Sequence, residues 1–249
     1  MAQLDEEQQL RIFRQFTRWF AIAICLLISL PTLYGVVIKP AHTLYFGLQY
    51  NIDDHMVYGA WMRQAMEGSL LFENRFATEP QPGLTLHLYF LMLGWVAKLT
   101  GIPVAMYLAR IAFTFLSIAL LGRLVEQVTQ SVFSRKIALS MSVLGGGLGF
   151  MVWHTFGVAF SKPGPEFLQG ALLSRLPTDI WQPEGFFLPS ALTNGLFMVS
   201  LALVLGVMLA VLKAKESPKS LIPGAVCFGV LMNIHSYDVL LIALVFVGL

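Results

Sequence analysis

Two adjacent carboxylates, Asp53 and Asp54, lie in a polar segment that follows the first apolar stretch of the chain. A carboxylate within hydrogen-bond reach of a hydroxyl can act as a general base. The apolar stretches around this segment carry almost no charge, so acids gathered beside them suggest chemistry at that face. One of the two could instead cap a helix, but a single side chain suffices for a cap.

Later polar segments supply further candidate residues. Glu184 precedes a long apolar stretch, and His235, Tyr237 and Asp238 interrupt another. Polar backbone inside an apolar run is tolerated where protein buries it or where it lines water, which favours a broken helix at 235–238 over a simple loop. Glu184 has an alternative role, since the helix dipole favours a carboxylate at the start of a helix.

The composition indicates an integral membrane protein. Hydrophobic residues make up 57% of the chain and charged residues 12%, and the mean hydropathy is +0.72. The net charge of +2, with no Lys/Arg-rich run, argues against a nucleic-acid partner. Cys25 and Cys227 lie inside apolar stretches, which favours small buried hydrophobes over a disulfide or a metal site.

The apolar stretches predict about five membrane spans. They lie at about 19–38, 104–121, 137–160, 186–212 and 221–234, and another stretch starts at 239. Because the chain stops within that last stretch, we expect it to be a fragment of a longer protein. The chain is then a single membrane module, with predicted outer loops at about 39–103 and 161–185.

Basic residues predict the orientation of the chain. Three arginines, Arg11, Arg14 and Arg18, precede the first span, which places the N-terminus in the cytoplasm. The stretch 84–99 has only about 16 residues, which is short for a span. If it does not cross, every short basic loop faces the cytoplasm, so we predict a re-entrant or juxtamembrane helix there. The preceding segment, 54–68, is typical of an amphipathic helix, with Asp53 or Asp54 as its N-cap.

The first half of the chain presents its helices, acids and turns in a defined order. An N-terminal anchor is followed by Asp54 with Tyr58 four residues later, a glycine-terminated helix, a proline-containing turn at 79–82, a hydrophobic helix, and a span with the early Arg110. This order resembles the GT-C superfamily of polyprenyl-phosphate-dependent membrane glycosyltransferases, and it is similar to lipid A aminoarabinose transferases and protein mannosyltransferases. The likeness covers mainly residues 10–125.

The resemblance implies an all-α, polytopic transmembrane helical bundle with juxtamembrane helices in the first outer loop. It implies an enzyme that moves a sugar from a polyprenyl-phosphate donor to an acceptor at the outer face of a bacterial-type inner (plasma) membrane. Asp54 matches the family's first-loop acid, and Asp53 is the neighbour that could replace it. Both are therefore the predicted catalytic residues.

Inverting sugar transfer needs a base on the acceptor hydroxyl, here Asp54, and a cation to stabilise the departing phosphate. Candidate cations are Arg63, Arg75, Lys162, Arg175 and His235. Each could equally pair with an acid or a lipid headgroup, and the sequence does not rank them. The predicted substrate-binding residues are Arg63, Arg75, Glu184, His235, Tyr237 and Asp238.

Other interpretations stay open. A divalent metal is a weaker alternative, because the spacing of its candidate ligands matches no ligand motif; these are Asp53, Asp54, Glu184, His235 and Asp238. The chief rival to an enzyme is a non-enzymatic lipid-handling or transport protein, and the third class is a structural membrane subunit. The sugar, the acceptor, the lipid carrier and the oligomeric state do not follow from the sequence.

Overall fold

The computed structural model describes residues 5–47, 52–146 and 182–248. Over these ranges the chain is all-helical, and its only bridge outside the helices joins Phe72 to Thr85. The helices are α1 (Glu6–Ile38), α2 (Ile52–Met66), α3 (Leu88–Thr100), α4 (Ile102–Val128), α5 (Val132–Leu144), α6 (Phe187–Thr193), α7 (Gly195–Ala214), α8 (Leu221–Ile234) and α9 (Tyr237–Gly248). Single 3-10 turns at Pro183–Gly185 and Pro218–Ser220 precede α6 and α8.

Among the helices of the described ranges, three, α1, α4 and α7, are long and apolar enough to cross a membrane. Their presence supports the prediction of a membrane protein. The predicted spans 19–38 and 104–121 lie within α1 and α4. The predicted span 186–212 is instead divided between α6 and α7, because Asn194 ends one helix and its side chain caps the next by accepting the N–H of Leu196.

The other predicted spans correspond to shorter helices. Helix α5 covers the start of 137–160 and ends at Leu144, and most of the remaining stretch lies outside the described residues. Helices α8 and α9 are too short to count as spans by themselves. Almost all of the predicted outer loop 161–185 also lies outside the described part of the chain.

Helices α1 and α4 run antiparallel in close contact. At one end Arg14 pairs with Glu126 at 2.9 Å, and toward the other end Arg110 donates to the Thr32 hydroxyl at 2.6 Å. Between them, a Cβ at Gly122 would lie 2.8 Å from Thr17 Cγ2, so only glycine allows this approach. The antiparallel contact therefore collects the basic ends of both helices at one end of the bundle.

Helices α2 and α3 occupy the segment between α1 and α4. Helix α2 begins at Ile52, so Asp53 and Asp54 lie in its first turn and not at the predicted N-cap. Gly68 follows the helix with φ +102°, a left-handed conformation that suits glycine. Helix α3 has 13 residues and is not among the helices of spanning length.

Small residues and rings join α2 to α3. A Cβ at Gly94 would lie 2.4 Å from Ala65 Cβ and 2.8 Å from the Met62 carbonyl oxygen. Tyr58 stacks on Phe90 with 4.3 Å between ring centroids. The first turn of α2, which holds the two acids, is thereby attached to the helical bundle through α3.

Asn233, in the last turn of α8, holds the start of α3. Its side-chain oxygen accepts the N–H of Leu88 at 2.8 Å, and its amide donates to the carbonyl of Leu86 at 2.9 Å. These two bonds satisfy backbone groups at a helix start that has no side-chain cap of its own. They also bring the polar run 235–238 beside the first-loop helices.

Replacing Gly94 by alanine should lower the free energy of unfolding by about 1–3 kcal/mol, because the new methyl group overlaps α2. Gly229 in α8 is the matched control, since no atom lies within 4 Å of the position of its Cβ. Gly229→Ala should leave stability unchanged or raise it by up to about 1 kcal/mol. Thermal unfolding of both variants in one detergent, followed by circular dichroism, checks this; equal Tm values would contradict the packing.

Candidate functional site

Three carboxylates from separate parts of the chain act electrostatically on one tyrosine, Tyr237. Partial burial raises the pKa of the Tyr237 hydroxyl above its usual range, and the nearby charges of Glu184, Asp238 and Asp54 raise it further, in that order. Burial likewise raises the pKa of Tyr58, with added contributions from Asp54 and Tyr237. The acids of α2, of the turn before α6 and of α9 are therefore within electrostatic range of a common point.

His235 and Asp238 form a hydrogen-bonded network with Ser200 at the junction of α8 and α9. His235 Nδ1 lies 2.7 Å from Asp238 Oδ2, and the Ser200 hydroxyl donates to the same oxygen. His235 is only 5% exposed, and its Nε2 is buried without a hydrogen-bond partner among the described residues. With the proton on Nδ1, the imidazole and the Ser200 hydroxyl both donate to the Asp238 carboxylate and orient it.

A cavity of about 280 Å³ adjoins this network. Glu184, His235 and Asp238 line it together with apolar and aromatic side chains, among them Phe186 and Phe197. Carboxylates accept hydrogen bonds from hydroxyls, and aromatic walls pack on apolar faces, so this combination suits a small polyhydroxy ligand. We refer to it as the acidic cavity.

A second cavity, of about 480 Å³, lies where α1 and α4 meet the first-loop helices. Its walls are mostly apolar, and its polar lining includes Lys39, His55 and Arg110. Buried Arg110 donates to the Leu192 carbonyl at 2.9 Å and to Thr32, while its Nε has no partner in the described structure. We refer to this space as the apolar cavity.

The sequence did not select Arg110 as a site residue. The available signal was an arginine near the start of an apolar span, which is rare unless it is buried or functional. His55 also lines the apolar cavity and is buried, although its place beside the acidic pair was the only indication in the sequence.

The two arginines predicted to bind substrate lie elsewhere. Arg63 is exposed on α2, and Arg75 lies 3.7 Å from Glu67 with both side chains about half exposed. Neither lines the acidic or the apolar cavity. The other candidate cations, Lys162 and Arg175, lie outside the described residues.

The described part of the chain gives no geometric support to the alternative of a metal site. Among residues 5–47, 52–146 and 182–248, no group of three or more His, Cys, Asp or Glu side chains is arranged to hold a metal ion. Asp53 and Asp54 are both exposed in the first turn of α2, but only Asp54 affects the two tyrosines. This difference favours Asp54 over Asp53 as the functional acid.

Comparison of the chain with protein-family models, with curated proteins and with solved structures finds no match. The fold and site therefore define a class and not a family. The described part of the chain is that of a membrane protein: it is all-helical, with three helices of spanning length, an acidic cavity and an apolar cavity.

His87, buried between Trp61 and Phe90, should make the fold acid-sensitive. Burial lowers its pKa from 6.5 to about 4, although backbone hydrogen bonds act against the shift. Between these values the unfolded chain binds more protons than the folded one, so stability falls as pH falls from 6.5 to 4. The loss is on the order of 2 kcal/mol, after allowance for the partly exposed ring.

Chemical unfolding at a series of pH values measures this loss. His87→Gln should reduce the dependence of the free energy of unfolding on pH between 6.5 and 4. An exposed histidine, His42, is the matched control, because His42→Gln should leave the slope unchanged. If wild type and His87→Gln have the same slope, His87 is not the group responsible.

Proposed function

We propose that the protein is an inverting glycosyltransferase that moves a sugar from a polyprenyl-phosphate donor to an acceptor at the membrane face that holds Asp54. The observation that carries the proposal is that Glu184, His235 and Asp238 line one cavity. The charge of Asp54 acts on Tyr237, the residue between His235 and Asp238 in the chain. A carboxylate that is partly buried beside apolar helices, as Asp238 is, is costly unless it serves binding or chemistry. The family resemblance of residues 10–125 points the same way.

The apolar cavity supports a lipid-linked donor. Its apolar walls suit an isoprenoid chain, and Arg110 and Lys39 supply positive charge for a phosphate. The unpartnered Nε of buried Arg110 is a donor that a phosphate oxygen would satisfy. In this proposal Arg110 takes the role of the cation that stabilises the departing phosphate, for which the sequence analysis offered five unranked candidates, Arg110 not among them.

The proposed sugar transfer gives a role to each of the three acids, Asp54, Glu184 and Asp238. Asp54 accepts the proton of the acceptor hydroxyl as its oxygen attacks the anomeric carbon of the sugar. The bond from that carbon to the phosphate oxygen breaks, the electron pair leaves with the phosphate, and the configuration inverts. Glu184 and Asp238 accept hydrogen bonds from sugar or acceptor hydroxyls, and Ser200 and His235 hold Asp238 in place.

Replacing Asp54 by asparagine should lower the rate of sugar transfer by about 100-fold or more, the usual contribution of a general base. Asp53→Asn is the matched control, since it removes the same charge from the same helical turn and should keep most of the activity. Transfer from a polyprenyl-phosphate sugar in vesicles measures both rates. Unchanged Tm values for the two variants would show that folding is not the cause.

The chief alternative, a non-enzymatic lipid-handling or transport protein, is favoured by the buried His235 and Asp238 pair between two apolar helices. It predicts substrate flux that is insensitive to Asp54→Asn and lost in Asp238→Asn. Retained sugar transfer in Asp54→Asn would contradict the enzyme proposal directly.

The proposal also requires the first-loop helices to face the cell exterior, with the basic end of α4 inside. A maleimide that cannot cross membranes should label Glu73→Cys in intact cells and Gln127→Cys only after permeabilisation; both positions are exposed. The two native cysteines, Cys25 and Cys227, are replaced by alanine to remove background. Labelling of position 127 without labelling of position 73 would reverse the orientation and remove the proposed site from the exterior.

A further inference from the structure

A cleft of about 230 Å³ lies between α1 and α4 at their basic end. Arg14, Arg18 and Arg123 line it together with Glu126, and its remaining walls are small or apolar side chains. It shares no lining residue with the acidic or the apolar cavity. We refer to it as the arginine cleft.

The charges of the arginine cleft do not balance. Arg14 donates twice to Glu126, at 2.9 and 3.0 Å, and Arg123 donates once at 3.2 Å, so a single carboxylate serves two guanidinium groups. Arg18 is exposed and has no ion pair in the described structure. Three cations thus face one anion, and a group with negative charge is needed to complete the cleft.

The solvent exposure of these groups shows where that anion would bind. The Glu126 side chain is only 8% exposed, whereas those of Arg14 and Arg123 are 51% and 55% exposed. The carboxylate is therefore enclosed, and the guanidinium groups keep free N–H donors at the mouth of the cleft. Arginine in this geometry binds phosphate through several charge-assisted hydrogen bonds.

The inner part of the cleft is apolar. Ala21, Ala119 and Gly122 leave a groove along the two helices, and it leads to Phe115, which is 38% exposed. A soluble anion would leave this groove empty. A molecule with a phosphate at one end and hydrocarbon at the other fills both parts, and the surrounding bilayer supplies such molecules.

We propose that the arginine cleft binds a glycerophospholipid with net negative charge, its phosphate on the three arginines and its glycerol and first acyl carbons in the groove. Binding there ties α1 to α4 at the end where their own contacts leave excess positive charge. The site is independent of the proposed sugar transfer.

Thermal unfolding of the purified full chain in detergent tests the proposal, because a ligand that binds only the folded state raises Tm. The probes are phosphatidylglycerol, phosphatidylcholine, glycerol 3-phosphate and inorganic phosphate. Phosphatidylglycerol should raise Tm, and the other three should have little effect. Equal protection by phosphatidylcholine would overturn the requirement for charge, and protection by either soluble phosphate would make this a free-anion site.

Three variants locate the effect. Arg18→Gln should weaken the phosphatidylglycerol effect about fivefold, the contribution of one basic side chain near an anionic lipid. Ala119→Phe keeps every charge and should weaken binding by filling the groove. Lys213→Gln, which removes an exposed cation in the last turn of α7 outside the cleft, should behave as wild type. Equal losses of the phosphatidylglycerol effect in Arg18→Gln and Lys213→Gln would show a general surface effect and would overturn the proposal. The comparison of these two variants tests the proposal even if Ala119→Phe fails to fold.

Discussion

The antiparallel contact of α1 with α4 is the constraint on which the rest of the structure depends. Arg14 and Glu126 hold one end, Arg110 and Thr32 lie toward the other, and Gly122 lets the backbones approach between them. Without a hydrophobic driving force between helices in lipid, such contacts depend on close packing and on polar pairs. Helices α7 and α3 both pack against α4.

The polar groups of this apolar bundle are concentrated at breaks between helices. Asn194 separates α6 from α7, Asn233 caps α3 from the end of α8, and His235 with Asp238 occupies the break before α9. Each break satisfies backbone groups that a continuous helix would not expose, which is the condition for irregular backbone in an apolar setting. The acidic cavity lies at the last of these breaks, where His235 and Asp238 line it, and Asn194 lines the apolar cavity.

Local patterns predicted much of this architecture. Hydropathy and length indicated the helices that became α1 and α4, and the polar run at 235–238 indicated a break. Predictions from local sequence patterns were less accurate where a single residue determines where a helix begins or ends. Asn194 divides a continuous apolar stretch, and the start of α2 at Ile52 moves the two acids from the cap into the first turn. The predicted roles of Arg63 and Arg75 depended on proximity, which spacing along the chain does not encode.

The amino-acid sequence by itself determined the class of the protein, because burial of apolar side chains and satisfaction of backbone hydrogen bonds within helices are local requirements. It also identified Asp54, Glu184 and Asp238 as acids outside the apolar stretches. Only the tertiary structure brought their charges to act on Tyr237 and placed Arg110 in the wall of a cavity. The physical reason is that contacts such as Asn233 with Leu88 join residues far apart in the chain, and packing of whole helices selects those pairs.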